Sequence, residues 1–180
     1  MSKLTDSKLI HIATIGKTVG LKGDIKLHIH TDFPQQFKKN SSFYINEKDS
    51  IALSDVNLEK GLIRVAGYNS PEEAQKLTNK KLYTTIERTR QECHLEEGEH
   101  FWFDLVGCKV VENAKTVGVV EEVERISITN YLFIKSDTSL VENGLSKSFL
   151  LPLQKPFILD VDIQNKTITV SGAIDILEAS

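Results

Sequence analysis

The sequence of 180 residues predicts a mainly β protein built as two small β-barrel domains, with one short helix in the first. Three features point there. Short runs of alternating apolar and polar residues recur along the chain, separated by Gly, Asn, Asp and Ser turns. One well-marked helix start stands in the first half. A charged stretch without apolar period interrupts the succession of strands at residues 88–97. The expected division is a first domain over residues 1–87, a linker over 88–97 and a second domain over 98–180.

In the first domain, residues 11–15 read as a strand that leads into Gly16-Lys17-Thr18-Val19-Gly20-Leu21-Lys22-Gly23. The Gly-Lys-Thr triplet invites a phosphate-loop reading, which fails twice. That motif needs Gly five residues before Gly16, where His11 stands, and it must run into a helix. Residues 25–30 alternate as a strand instead, with Ile25, Leu27 and Ile29 inward and Lys26, His28 and His30 outward. Residues 16–23 are therefore expected to form a tight loop between two strands, its glycines allowing positive φ. His28, His30 and Asp32 share a face at a spacing compatible with metal ligation. No further ligand converges on them, and a solvated strand face accounts for them better. Lys17, Lys22 and Lys26 gather at the loop, where phosphate contact and simple solvation are equally good readings.

Further strands are expected over residues 43–45, 51–53 and 62–65. Ser70 then starts a helix, with Pro71 in its first turn and Glu73 placed to close a capping box. Ala74 and Leu77 give that helix its buried stripe, and residues 80–86 return to strand.

Residues 98–107, Gly98-Glu99-His100-Phe101-Trp102-Phe103-Asp104-Leu105-Val106-Gly107, hold the only Trp and open the second domain. Alternation makes them a strand, with Phe101, Phe103 and Leu105 on one face and His100, Trp102 and Asp104 on the other. Two readings stand: a core strand whose Trp packs under a loop, or an aromatic anchor for a partner protein. Strands follow over residues 109–111, 116–123, 131–134, 149–153, 157–161 and 167–170. Residues 137–148, rich in Ser, Asn and Gly, read as a loop, and a helix is expected only at 174–178. Glu121 and Glu122 are neighbours on a strand and point to opposite faces, so they are not an acid pair. No Ser/His/Asp or Cys/His set suggests itself, and no catalytic residue is assigned.

Composition narrows the function classes. A formal net charge of -3 argues against a chain that grips nucleic acid by phosphate neutralisation. The charge is uneven: residues 1–97 carry 15 Lys and Arg against 13 Asp and Glu, and residues 98–180 carry 7 against 12. The acidic second half suits a basic partner. No apolar run is long enough to span a membrane, and the N-terminal residues lack an apolar signal core, so a cytoplasmic protein is expected. Cys93 and Cys108 lack CxxC spacing, so neither a disulfide framework nor a metal site is expected.

Two signatures together resemble a known family. Ile15-Gly16-Lys-Thr-Val-Gly20-Leu21-Lys-Gly23-Asp-Ile-Lys-Leu, with Thr31-Asp32 and Phe37 after it, opens the first half. Phe101-Trp102-Phe-Asp104-Leu105-Val-Gly107-Cys108 opens the second. With Tyr68-Asn69-Ser70-Pro-Glu-Glu-Ala74, Leu151-Pro152 and the segment from Asp160 to Val170, they resemble the ribosome maturation factor RimM family over residues 10–178. The resemblance implies an N-terminal six-stranded barrel like those of translation factors and a C-terminal PRC-barrel. It implies a non-enzymatic, monomeric factor without cofactor that binds immature small ribosomal subunits and supports processing of their RNA. Its partner would be ribosomal protein S-nineteen in the subunit head, contacted by His100, Phe101, Trp102 and Asp104. Candidate ribosome contacts in the first domain are Lys17, Leu21, Lys22, Gly23 and Lys26, and direct contact of the residue 16–23 loop with ribosomal RNA is the alternative reading. The family usually has two Tyr before the Trp, where this chain has His100 and Phe101, so the phenolic hydroxyls are absent. It also often has Asn-Asp where Asn130-Tyr131 stands, and no function is carried to Tyr131.

Overall fold

A computed structural model describes residues 8–180 of the chain. The N-terminal segment read above for a signal core lies outside the described residues. Two compact units divide between His94 and Leu95.

The first unit contains β1 (Leu9–Val19), β2 (Asp24–Ile29), β3 (Ser42–Tyr44), β4 (Ser50–Asn57), β5 (Leu62–Val65) and β6 (Lys81–Thr85). They close into a barrel in the order β1-β2-β5-β4-β3-β6, every pair antiparallel. Inward positions of each strand fill one core, among them Ile15, Ile25, Leu27, Phe43, Leu53, Ile63 and Leu82. Alternation in β2 holds: Ile25 and Leu27 are buried, while Lys26, His28 and His30 are exposed. The helix α1 (Pro71–Gln75) starts at Ser70, whose Oγ accepts the Glu73 N–H at 3.2 Å. The Glu73 carboxylate reaches one residue further back than the capping box expected, to the Asn69 N–H at 2.9 Å.

Two expectations for this unit need correction. Residues 16–23 are not all loop: β1 runs on to Val19, and only Gly20 and Gly23 take left-handed φ, at 70° and 75°. Residues from 88 onward are not simply a polar linker, and the unit has more than one helix. The helix α2 (Ile86–Glu92) is capped by Thr85, which accepts the Arg88 N–H at 3.1 Å. Its short apolar stripe hides the periodicity, because the side chains that anchor it are Thr89 and the following Cys93, both buried. Arg88 adds a contact over the Phe43 ring at 5.0 Å, an ion pair with Glu92 at 2.9 Å and a bond to the Ser42 carbonyl.

The second unit contains α3 (Trp102–Leu105), β7 (Lys109–Glu112), β8 (Lys115–Ile126), β9 (Thr129–Ser136), α4 (Thr138–Glu142), β10 (Ser148–Pro152), β11 (Ile158–Asp162), β12 (Thr167–Val170) and α5 (Ala173–Glu178). Its six-stranded sheet runs β10-β9-β8-β7-β12-β11, with β12 parallel to β7 and the other pairs antiparallel. Both end strands turn onto one core: Phe149 and Leu151 of β10 meet the cluster that Ile158 and Val161 of β11 also cover. The six strands lie where alternation expected them. The loop expected over 137–148 contains α4, which Asp137 starts by accepting the Ser139 N–H at 3.0 Å. The Ser139 hydroxyl, which donates to the same carboxylate at 2.6 Å, and then that N–H hold the Asp137 carboxyl below the usual carboxylate range.

The β7–β8 turn is a two-residue connection, Asn113-Ala114, with both residues at positive φ (49° and 63°). Asn tolerates this conformation and Ala does not. Glu112, the last residue of β7, is buried and joins the sheet to α5. Its carboxylate accepts the N–H of Gly172 and, at 2.9 Å, that of Ile174. Gly172 starts α5 without a side-chain cap, so a residue distant in sequence supplies the missing acceptor.

Two stability predictions follow from these contacts, each read by urea denaturation with Trp102, the only Trp, as the fluorescent reporter of its own unit. Glu112→Ala strands two amide donors and should lower the second unit's stability by about 2–3 kcal/mol. Ala114→Gly relieves the left-handed turn and should raise it by about 1 kcal/mol. An unchanged midpoint for Glu112→Ala would mean that α5 is held by its apolar face alone.

Candidate functional site

The aromatic stretch of the second unit is a helical turn, not the strand expected. Phe101, Leu105 and Cys108 are buried, and Leu105 and Cys108 belong to the second core. The turn forms because Gly98 and Gly107 bracket it in left-handed conformation, at φ 82° and 83°. Asp104 N–H bonds the Phe101 carbonyl at 3.0 Å, and Val106 N–H bonds that of Trp102 at 3.2 Å. Lys166, at the turn before β12, donates to the Asp104 carbonyl at 2.8 Å. The Cys108 thiol faces the same carbonyl at 3.4 Å, and burial pushes its pKa up.

This turn separates the four residues singled out from the sequence. Phe101 is 6% exposed, and its ring stacks on Phe103 at 5.0 Å with planes 9° apart. It supports the surface rather than presenting one. His100, Trp102, Phe103 and Asp104 are half-buried and form the outer side of the turn. Trp102 lays its ring against the second core, and its indole N–H is buried without an acceptor among the described residues.

In the first unit, the β1–β2 tip is as the sequence suggested only in part. Lys17, Leu21 and Lys22 are exposed, Leu21 at 90%, with Val19 beside them at 43%. Gly23 is buried: a Cβ there would stand 3.0 Å from the Tyr68 carbonyl, at the approach to α1. Lys26 is not at the tip, and its ammonium donates to the Lys60 carbonyl at 2.8 Å. Gly16 lies inside β1, where a Cβ would come within 2.7 Å of His28 Nε2. It clears room for that imidazole.

A feature that residue-by-residue reading missed crosses the outer face of this barrel. Tyr44 of β3 pairs in register with Tyr83 of β6, which pairs with His11 of β1. His11 lies 5.6 Å from the Tyr83 ring and 4.8 Å from that of His30, just beyond β2. The imidazoles share a hydroxyl. His11 Nε2 faces the Ala13 carbonyl at 2.9 Å, which only accepts, so that nitrogen carries a proton. Thr14 Oγ1, 3.1 Å from the same nitrogen, is then free to donate to His30 Nε2 at 3.0 Å. Burial, and then the neighbouring imidazole, holds the pKa of His11 below the ordinary imidazole range, and burial with His28 does the same for His30. Lys81 acts on both in the same direction. Outward alternation of His28 and His30 was legible; that β1 and β6 would bring His11 and Tyr83 beside them was not.

Among the described residues no group of three or more His, Cys, Asp or Glu is placed to hold a metal ion. No helix among them is long and apolar enough to cross a membrane.

Comparison with known proteins accounts for both units. A family model for the RimM N-terminal domain matches residues 10–89, and one for the RimM PRC barrel domain matches residues 102–176. The chain belongs to the RimM family. Proteins named ribosome maturation factor RimM from Sulfurimonas denitrificans and a Sulfurovum species are 61% and 47% identical to it. The first aligns over 100% of both chains, the second over 94% of each. The one from Aliarcobacter butzleri is 44% identical over 95% of this chain and 97% of its own. The RimM N-terminal match runs through β1 to Thr89 in α2, and the RimM PRC barrel match begins at Trp102, the first residue of α3.

Phe101→Ala should destabilise the second unit by about 3–5 kcal/mol, read as a lower urea midpoint in Trp102 fluorescence. Full stability in that variant would mean that the Phe101 ring is dispensable to the core. A pH effect belongs to the first unit. The folded state favours neutral His11 and His30, so their contribution is complete above the ordinary imidazole range and is lost as pH falls through it. Denaturation by urea across that range, followed by circular dichroism, should give a shallower decline for His11→Gln with His30→Gln than for the parent.

Proposed function

We propose that the chain is a ribosome maturation factor that binds the immature small subunit through ribosomal protein S-nineteen and supports processing of the subunit's RNA. It acts by binding, not by catalysis. The observation that carries this reading is the α3 turn: half-buried His100, Trp102, Phe103 and Asp104 on a base of buried Phe101 and Leu105, in the acidic unit of the chain. An aromatic surface in a unit of net negative charge suits a basic ribosomal protein, with the rings supplying affinity and the unit's charge steering approach. The relatives' name, ribosome maturation factor, supports the broader role. Exposed Lys17, Leu21 and Lys22 at the β1–β2 tip give the first unit a second, basic contact with the same particle. A maturation factor must leave, so it binds the immature subunit more tightly than the mature one.

The test is calorimetric titration of S-nineteen protein into the chain, with Trp102→Ala as the contact variant, its fold checked by circular dichroism because the ring also packs on the second core. Phe101→Leu serves as the control for core packing, because it keeps an apolar side chain inside. Trp102→Ala should weaken binding by about thirtyfold or more, as truncation of a central aromatic does, while Phe101→Leu stays near the parent. No binding by the parent chain would remove S-nineteen as the direct partner. Equal sedimentation with mature and immature subunits would remove the maturation role itself.

A further inference from the structure

The outer face of the first barrel has no part in the contact proposed above. It carries a row of four rings: Tyr44 and Tyr83 are half-buried, and His11 and His30 are exposed. The row spans adjacent strands β3, β6 and β1 and ends just past β2, so its rings are held by sheet register and not by a loop. His28 lies beside it over Gly16, and Lys81 of β6 is the register partner of Thr14. The charged groups that act on His11 and His30 are Lys81, His28 and the imidazoles themselves, with no carboxylate among them. Such a surface offers π-faces tilted 46–50° to one another at strand spacing, imidazoles that gain charge when an anion approaches, and the exposed ammonium of Lys81.

We infer that this face is a stacking platform for single-stranded RNA. Bases released from a duplex stack on Tyr and His rings whatever their sequence, and the backbone phosphates that accompany them meet Lys81 and the imidazoles. A duplex keeps its π-faces inside and gains little from exposed rings. The choice of RNA over DNA rests on the ribosomal role proposed above; the stacking chemistry does not. Phosphate near His11 and His30 favours their charged forms, which burial, His28 and Lys81 disfavour in the free protein. Binding therefore takes up protons and strengthens as pH falls through the imidazole range.

The experiment is fluorescence anisotropy with the full chain and a fluorescein-labelled single-stranded RNA of mixed sequence, beside a duplex of equal length, at about pH 6 and about pH 7.5. Single-stranded RNA should bind several-fold more tightly at the lower pH and more tightly than duplex at both. Tyr83→Ala and His30→Ala, both at the barrel surface, should each weaken it at least about fivefold, the effect of removing one stacking ring. Tyr83→Phe should restore most of that loss. Nuclear magnetic resonance then locates the site, because the chain has five His. RNA should shift the ring signals of His11, His28 and His30 and leave His94 and His100 in place. No binding by the parent chain, duplex preference, or ring variants that bind like the parent would overturn the inference. Loss of binding in Lys17→Ala with Lys22→Ala alone would also overturn it, by moving the contact to the β1–β2 tip. The ring variants leave the second unit intact, so S-nineteen titration of the same proteins separates failure of this inference from failure of the proposed function.

Discussion

A small barrel closes only if its strands bend enough for each to pair along both edges, and in the first unit β1 carries two of the three register shifts that allow it. Its register shifts against β6 between His11 and Ala13, and against β2 between Ile15 and Thr18. The first places Ile12 and Ala13 inward together, while at the second Ile15 stays inward and Gly16 faces out beneath His28. The side chains between the shifts are thereby re-aimed. His11 and Thr14 come to lie on the outer face beside Tyr83 and His30, and Gly16 leaves space for His28. The core, the closure and the outer ring row all depend on the path of this one strand.

The second unit depends on a different device. Its sheet ends in strands that do not pair with each other, so the core must be sealed by short helices and by the way they are tied down. Glu112 holds the start of α5, Lys166 holds the end of α3, and Asp137 starts α4. None of these helices has eight residues, and none would persist alone, because a short helix does not recover the cost of its own nucleation. Beside these ties, α3 buries Leu105, α5 buries Ala173 and Leu177, and α4 packs Leu140 only partly against the core.

Charge divides along the same boundary as structure. The carboxylates in excess belong to the second half of the chain, while the outer face and tip of the first barrel present imidazoles and lysines. A chain with a modest overall charge of -3 thus carries its negative excess in the second half. Net charge taken over the whole sequence conceals this.

Alternation along the sequence determined the β class and the position of nearly every strand, because a residue's face on a strand follows from its parity. Ser70, Pro71 and Glu73 marked α1 for an equally local reason, since a helix cap is formed by its immediate neighbours. The turn at α3 was misread because Phe101, Phe103 and Leu105 satisfy period two, while a helix of four residues is too short to show a period of its own. Only the core they face, and the glycines that stop the extended chain on either side, select between strand and helix. The helix α2 was hidden because its anchors are Thr89 and Cys93, whose burial is a property of the packed unit and not of their chemistry. Register is what tertiary structure alone decided. It brought Tyr44, Tyr83, His11 and His30, spread over 73 positions of sequence, into one row, because pairing between distant strands is set by how the whole barrel closes.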